Sequence, residues 1–289
     1  MRELIDLTDK EAQNKLGKIG VIAGNGNFPI HLVKSLLQNK TPFVVMGIKN
    51  FVKNEVAQLA KDANCKYVEY FITDLVKTAK FFRKENVNTI IIIGGVNRKA
   101  IRFNNFTVFK AFFKLLFYKK KHDAIFRIII SEFEKRGFKV VGIQDAMPSL
   151  MPKTGVLTKT KPTVENMKDI NFAINEYKNF GKTDIGQSLI ILDRKIIGTE
   201  AMSGTDDLLK KCLALKNEKQ GGIVVKLPKF EQEERIDVPA IGLETIKNIS
   251  EAKLDGLVIA SEYHTIIDEK EKLIEFADKN NIFISAVEL

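Results

Sequence analysis

Cysteine is almost absent: Cys65 and Cys212 are the only two in 289 residues, far apart and without a C-x-x-C partner. That excludes a disulfide framework and a thiolate metal site, and it leaves two buried, reduced thiols as the expectation. Histidine is nearly as scarce. His31, His122 and His264 are scattered, with no spacing for a metal site or a catalytic triad. Long apolar runs are missing as well. The stretches 89–96 and 124–130 are the obvious candidates, and both fall far short of the roughly 18 residues that a membrane-spanning helix needs. The opening MRELIDLTDKEAQNK is charged throughout, so it does not read as the apolar region of a signal peptide, and a cytosolic location is expected. Neither a G-x-S-x-G elbow nor a P-loop lysine motif occurs, and there is no internal repeat or low-complexity linker.

What is present is an ordinary globular composition. Hydrophobic residues make up 45% of the chain, enough for a substantial core, and at about 100–200 residues per domain the length predicts two domains. Charge is divided unevenly between them. Residues 1–146 hold 26 Lys+Arg against 13 Asp+Glu, a net of +13, whereas residues 147–289 hold 20 against 23, a net of −3. The first half suits an anionic partner: a phosphorylated ligand, an anionic membrane surface or nucleic acid. The second holds carboxylates able to bind a divalent cation.

Periodicity gives an α/β chain. In the first half, apolar strands at 18–23, 43–47 and 89–93 alternate with helical stretches at 29–39 and 73–86, an order that implies a parallel, Rossmann-like sheet with helical crossovers. A helical pattern follows over 106–136 and a strand over 139–143. The segment QDAMPSLMPKTG, with two prolines and a glycine, then marks the expected boundary, dividing the chain into a basic domain at 1–146 and a mixed α/β domain at 147–289. In the latter, helices are expected at 163–180, 206–215, 244–252 and 269–280. Strands are expected at 186–193, 196–201, 223–225, 256–259 and 282–287, with antiparallel pairing across the turn at Asp193.

Two glycine-bearing loops leave strands of the first half. AGNGNFP offers Gly24 and Gly26 for positive φ and Pro29 to start the next helix, whose amino terminus favours an anion. It is not a dinucleotide fingerprint, because Pro29 stands where the third glycine of G-x-G-x-x-G would be. IIIGGVNRK offers Gly94 and Gly95 for close approach of a ligand and Asn97 and Arg98 as donors. Two such loops at strand carboxyl ends lie on one edge of a parallel sheet, where open α/β folds bind ligands. Taken singly, each is equally an ordinary tight turn with a surface cation. The stretch FTVFKAFFKLLFYKKK at 106–121 reads as a basic amphipathic helix, with Phe106, Phe109, Phe113, Leu116 and Phe117 on one face and Lys110, Lys114 and Lys121 on another. It fits an anionic membrane interface or a Phe-rich core face with its lysines outside.

In the second half, TDIGQ and EAMSGTDD flank the expected hairpin. GGIVVKLPKFEQEERIDVPAIGLET, at 221–245, runs from a strand into a loop with Glu231, Glu233, Glu234 and Asp237 set among Lys226, Lys229 and Arg235. Such a charge run is in the first instance a solvated turn. Carboxylates beside cations of this kind are also what phosphate chemistry uses.

Taken in order, KIGVIAGNGNFP, GGVNR, DIGQ, EAMSGTD, GGIVVK and QEERIDVPAIGLET resemble the LpxI-type UDP-2,3-diacylglucosamine diphosphatases, over nearly the whole chain from Lys18. The resemblance implies a two-domain protein with the ligand held between the domains. It implies hydrolysis of UDP-2,3-diacylglucosamine to UMP and 2,3-diacylglucosamine 1-phosphate (lipid X) in lipid A biosynthesis, with Mg²⁺ or another divalent cation. The essential aspartate of the family's R-x-D-x-P motif falls on Asp237, expected as metal ligand or water-orienting base, with Glu233 as a second metal candidate. Substrate contacts are expected from Gly24, Asn25, Gly26, Phe28, Gly94, Gly95, Asn97, Arg98, Gln187, Thr205, Lys226, Gln232 and Arg235. An anionic membrane surface and a homodimer are expected partners, and nucleic acid is not. Two departures stand out: Lys229–Phe230 replaces the Lys-Pro pair of many relatives, and the first 17 residues form an extension that the resemblance leaves without a role. The rival readings are a nicotinamide-dependent oxidoreductase, which the missing third glycine opposes, and a non-catalytic anion- or membrane-binding protein.

Overall fold

The computed structural model describes residues 9–10, 15–95, 121–180, 186–201, 204–216, 220–229, 233–236 and 238–289, with only the backbone described at 121–125 and 178–180. The chain forms two compact units. Met1–Pro148 and Glu233–Asp237 make the first, Ser149–Gln232 and Val238–Leu289 the second. The chain thus returns to the first unit for one short excursion from the second.

The first unit is built on a five-stranded parallel sheet: β1 (Lys18–Ala23), β2 (Phe43–Ile48), β3 (Tyr67–Tyr70), β4 (Val87–Ile93) and β5 (Lys139–Val141), in the order β3-β2-β1-β4-β5. β2 is buried at all six residues, and such continuous Val/Ile-rich runs are what a sheet covered on both faces requires. Its helices are α1 (Phe28–Gln38), α2 (Asn54–Asp62), α3 (Leu75–Lys84), α4 (Lys121–Glu134) and the short α5 (Ile143–Ala146). Ile22, Met46, Ile90, Ile92 and Val140 share one face of the sheet and pack with Leu75, Ala79 and Phe82 of α3 and Ile129, Ile130 and Phe133 of α4. Because side chains alternate along a strand, Ile19, Val21 and Ala23 turn to the opposite face. The chain builds outward from β1 to β3, then crosses back to place β4 on the other side of β1. The order therefore reverses between β1 and β4, and that is where open sheets of this kind form a ligand crevice.

The second unit is a mixed six-stranded sheet in the order β6-β13-β11-β9-β7-β8, with a separate two-stranded pairing of β10 and β12. Its strands are β6 (Gly155–Val156), β7 (Ser188–Leu192), β8 (Lys195–Thr199), β9 (Ile223–Lys226), β10 (Ala240–Ile241), β11 (Gly256–Ala260), β12 (Ile266–Ile267) and β13 (Phe283–Val287). Its helices are α6 (Val164–Phe180), α7 (Thr205–Leu215), α8 (Leu243–Glu251) and α9 (Lys270–Lys279). Alternation sorts the core into two layers. Val224, Leu257, Ile259 and Ile284 face Leu209 and Cys212 of α7, Ile246 and Ile249 of α8 and Leu273 of α9. Ile223, Val225, Val258 and Phe283 face Ile170 and Ala173 of α6. β7 and β8 pair antiparallel across Asp193 and Arg194, both with positive φ, as the hairpin reading expects.

The α/β class and its division into a parallel Rossmann-like sheet and a mixed one hold. Three elements of the first unit have no counterpart in the sequence reading, α2, β3 and the short α5. The strand expected over 139–143 stops at Val141, and Ile143 opens α5 instead.

Candidate functional site

At the switch point of the first unit, the loops after β1 and β4 are tied to each other. Asn25 N–H donates to the Gly95 carbonyl at 2.9 Å, and Gly95 N–H returns the bond to the Asn25 carbonyl at 2.8 Å. The approach is close enough that a Cβ on Gly24 would lie 2.7 Å from the Gly95 carbonyl oxygen, and one on Gly94 would lie 2.6 Å from the Asn25 carbonyl oxygen. Gly26 supplies positive φ (+102°), with nothing within 4 Å of where its side chain would be. Gly24 does not lie in the left-handed region, so its glycine serves the close approach. Pro29 sits in the first turn of α1, where its missing N–H would have had no helical partner. Within the loop, the Asn25 side-chain oxygen accepts from Gly26 N–H at 2.8 Å, and Lys53 Nζ donates to Asn27 Oδ1 at 2.7 Å. This edge offers a helix amino terminus, a glycine with open space over it and a cation, which together suit a phosphate. Phe28 opens α1 at the same place. Asn97 and Arg98 lie outside the described residues, as does most of the 106–121 stretch.

The acidic segment is held on the first unit. Arg235 engages two carboxylates: Nε and Nη2 reach Glu233 Oε1 at 2.7 Å and Oε2 at 3.2 Å, and Nη1 reaches Glu134 Oε1, on α4, at 2.6 Å. Burial acts to raise the Glu233 pKa. The hydrogen bonds and charge of Arg235, with Arg127 adding, overcome it, so the carboxyl ionises below its ordinary range. The hydrogen bond that Arg235 donates to Glu233 leads in holding the Arg235 guanidinium above its own ordinary value. A divalent cation finds no ready-made cage here, because both Glu233 oxygens already accept from Arg235. Among the described residues no group of three or more His, Cys, Asp or Glu is placed to share a metal ion. Asp237 and Gln232 lie outside the described residues.

In the second unit, Lys226 ends β9 and is 8% exposed. The strand register sets it opposite Ser188 at the start of β7. Its Nζ donates to Thr205 Oγ1 at 3.0 Å. Thr205 Oγ1 in turn lies 2.9 Å from Ser188 Oγ and 3.3 Å from Glu200 Oε1. Thr205 is the first residue of α7, entered through Gly204 at φ +91°. A buried ammonium at a helix amino terminus beside two hydroxyls can bind phosphate oxygens. Gln187 stands next to this group, its carbonyl accepting from Leu227 N–H at 2.9 Å. The structure therefore brings Thr205 and Lys226 together in one unit. In the other it brings together Gly24, Asn25, Gly26, Gly94 and Gly95.

Sequence reasoning did not single out Lys53, Glu134, Gln144, Ser188 or Glu200. Glu200 alone carried a signal, because it stands inside the EAMSGTDD motif. Glu134 and Arg235 are 101 residues apart, and no local pattern joins them.

Two family models match successive parts of the chain: the LpxI N-terminal domain over residues 18–150 and the LpxI C-terminal domain over residues 153–285. A curated relative from Caulobacter vibrioides, UDP-2,3-diacylglucosamine pyrophosphatase LpxI, is 29% identical over 280 residues, spanning 94% of this chain and 98% of that one. Solved structures are only distantly similar. The UDP-Glc/GlcNAc 4-epimerase from Campylobacter jejuni is 12% identical over 93% of this chain and 87% of its own, with a TM-score of 0.34. Pal from Bacillus thuringiensis is 13% identical over 94% and 85%, with a TM-score of 0.33. Likenesses of that size decide nothing about chemistry. The two domain matches, contiguous and in order across almost the whole length, make this chain a member of the LpxI family.

Proposed function

We propose that the protein hydrolyses the diphosphate of UDP-2,3-diacylglucosamine, releasing UMP and 2,3-diacylglucosamine 1-phosphate for lipid A synthesis. The observation that carries this reading is the match to both LpxI domains together with a relative of that printed activity over 94% of the chain. A diphosphate diester carries two negative charges that repel an incoming water. Displacement at phosphorus therefore needs cationic or backbone donors on the oxygens and a group that aligns the water. Asp237 is assigned that aligning role, taking the water's proton as the bond to phosphorus forms. Lys226 and Thr205 hold phosphate oxygens, and the Gly24–Gly26 and Gly94–Gly95 loops, with Asn97 and Arg98, hold the nucleotide or sugar phosphate. Mg²⁺ or another divalent cation belongs to the reading through the family resemblance, held by Asp237, and when bound it would offset the charge of the diphosphate. Glu233 would have to release Arg235 to share it.

The test is release of UMP from UDP-2,3-diacylglucosamine by the pure protein with Mg²⁺. The expected result is turnover that falls more than tenfold in excess EDTA and returns when the cation is restored. No UMP under any condition would overturn the activity, and full turnover in EDTA would overturn the cation. Lys226→Met should lower kcat/KM about 10- to 100-fold, since a hydrogen bond to a charged group is worth about 1.5–3 kcal/mol. An unchanged kcat/KM would take Lys226 out of the site. An anionic membrane surface supplying the acylated substrate, and a homodimer, belong to the same reading. Co-sedimentation with anionic vesicles and the mass in solution test them, and neither depends on a spanning helix: no helix among the described residues is long and apolar enough to cross a membrane.

A further inference from the structure

Three consecutive residues of the segment that leads into Asp237, Glu234, Arg235 and Ile236, are each fastened to the rest of the first unit, and Glu233 is bound to Arg235. Glu233 and Arg235 form a two-point pair through Nε and Nη2, and Arg235 Nη1 crosses to Glu134 at the carboxyl end of α4. The Glu234 carbonyl accepts a 2.8 Å bond from Nε2 of Gln144, a side chain on α5 with no solvent exposure. Ile236 packs against the core layer that holds Phe133 and Ile129, and its N–H closes a turn onto the Glu233 carbonyl at 3.2 Å. A surface ion pair of ordinary kind contributes little and fixes nothing. This one differs in geometry. The Arg235 and Glu233 side chains are 28% and 13% exposed, the pairing is the planar two-point kind that only arginine makes, and it is joined by a buried amide bond to the backbone between them.

We infer that Glu134, Gln144, Glu233 and Arg235 form a clamp whose work is to position the Asp237 segment, so that Arg235 acts as a positioning residue and not as a phosphate ligand. The inference rests on the assignment of the chemistry to Asp237. Two carboxylates already outweigh the single guanidinium charge, which leaves a poor receptor for a diphosphate. A turn pinned at Glu234, Arg235 and Ile236 instead gives what a water-aligning carboxylate needs, since misplacement by about 1 Å costs on the order of 100-fold in rate.

Steady-state kinetics and thermal melting of Glu134→Gln, Arg235→Lys and Asp237→Ala, alongside the wild type, test it. Glu134 is 44% exposed, so its replacement keeps the fold even if Arg235→Lys does not. The expected result is a fall in kcat of about tenfold in Glu134→Gln and Arg235→Lys, with KM within twofold and melting within a few degrees of the wild type. Glu134→Asp, which keeps the charge, should recover part of the loss. Lysine at 235 should not, because a point charge cannot grip both carboxylates. Unchanged kcat in Glu134→Gln beside an inactive Asp237→Ala overturns the clamp, and a KM raised tenfold at constant kcat in Arg235→Lys makes Arg235 a substrate ligand. Activity retained in Asp237→Ala overturns the assignment underneath and the inference with it.

Discussion

Asp237→Ala is expected to lower the turnover of UDP-2,3-diacylglucosamine more than a hundredfold while leaving folding and substrate binding largely intact. The physical reason is specific to position. Of the four carboxylates in EQEERID, Glu233 is bound to Arg235 and ionises below its ordinary range, so it is a weak proton acceptor already engaged at both oxygens. The proposed chemistry needs a carboxylate free to align water or a cation, and the R-x-D-x-P pattern puts that role on Asp237. Losing a group that acts mainly in the transition state lowers kcat and kcat/KM together, and about 2.7 kcal/mol of lost stabilisation is a factor of 100. Asp237→Asn separates charge from shape and should be nearly as inactive, because an amide can accept a hydrogen bond but does not take up the proton. UMP release under single-turnover conditions measures both variants, with nucleotide binding measured in parallel. More than about a tenth of the wild-type rate in Asp237→Ala would remove it from the centre of the mechanism.

Much of the fold was legible because parallel strands buried on both faces write themselves as unbroken apolar runs: GVIA, FVVMGI, TIIII. Besides the four-residue α5 and the two-residue strands β6, β10 and β12, two longer elements escaped, and both have muted signals. β3, YVEY, is the outermost strand and only half-buried, so it lacks such a run. α2, NEVAQLAKD, buries only Val56 and Ala60, and its polar remainder reads as a loop. Within the candidate site, the glycine loops were legible as loops on one edge, but their mutual hydrogen bonding was not, since it depends on β1 and β4 being neighbours. The same limit applies to Lys226. The sequence places a strand over 223–225 and Lys226 among the cations of the loop that follows, and only the register against β7, with α7 beginning alongside, buries the ammonium against Ser188 and Thr205. In both cases the missing information is a pairing between distant segments, which local pattern does not hold.

The paired glycines after β4 make that limit measurable, because the sequence treats them alike and the structure does not. Gly94 sits at φ +96°, and a Cβ there would meet backbone at 2.6 Å (Asn25 O) and 2.9 Å (Gly24 C) and the Pro29 ring at 2.8 Å. Gly95 is free of both constraints, its nearest neighbour being 3.9 Å from a Cβ. Gly94→Val should therefore incur about 1–3 kcal/mol for a β-branched residue in disfavoured backbone and about 1–3 kcal/mol for overpacking against atoms that cannot turn aside. With roughly 2–4 °C lost per kcal/mol in a unit of this size, melting should fall by about 10 °C. Gly95→Ala should melt at or slightly above the wild type, since it reduces the freedom of the unfolded chain without strain. Thermal melts of the two variants decide it, and equal melting temperatures would mean that the β1 and β4 loops are not in this contact. The contrast also bears on function. The Asn25–Gly95 bridge spans the point where strand order reverses, so the strain at Gly94 falls on the loops proposed to hold the nucleotide or sugar phosphate. Gly94→Val should accordingly lose substrate affinity even at temperatures where it stays folded, because pushing the two loops apart moves the amides of α1 and the Gly95 backbone away from a common ligand.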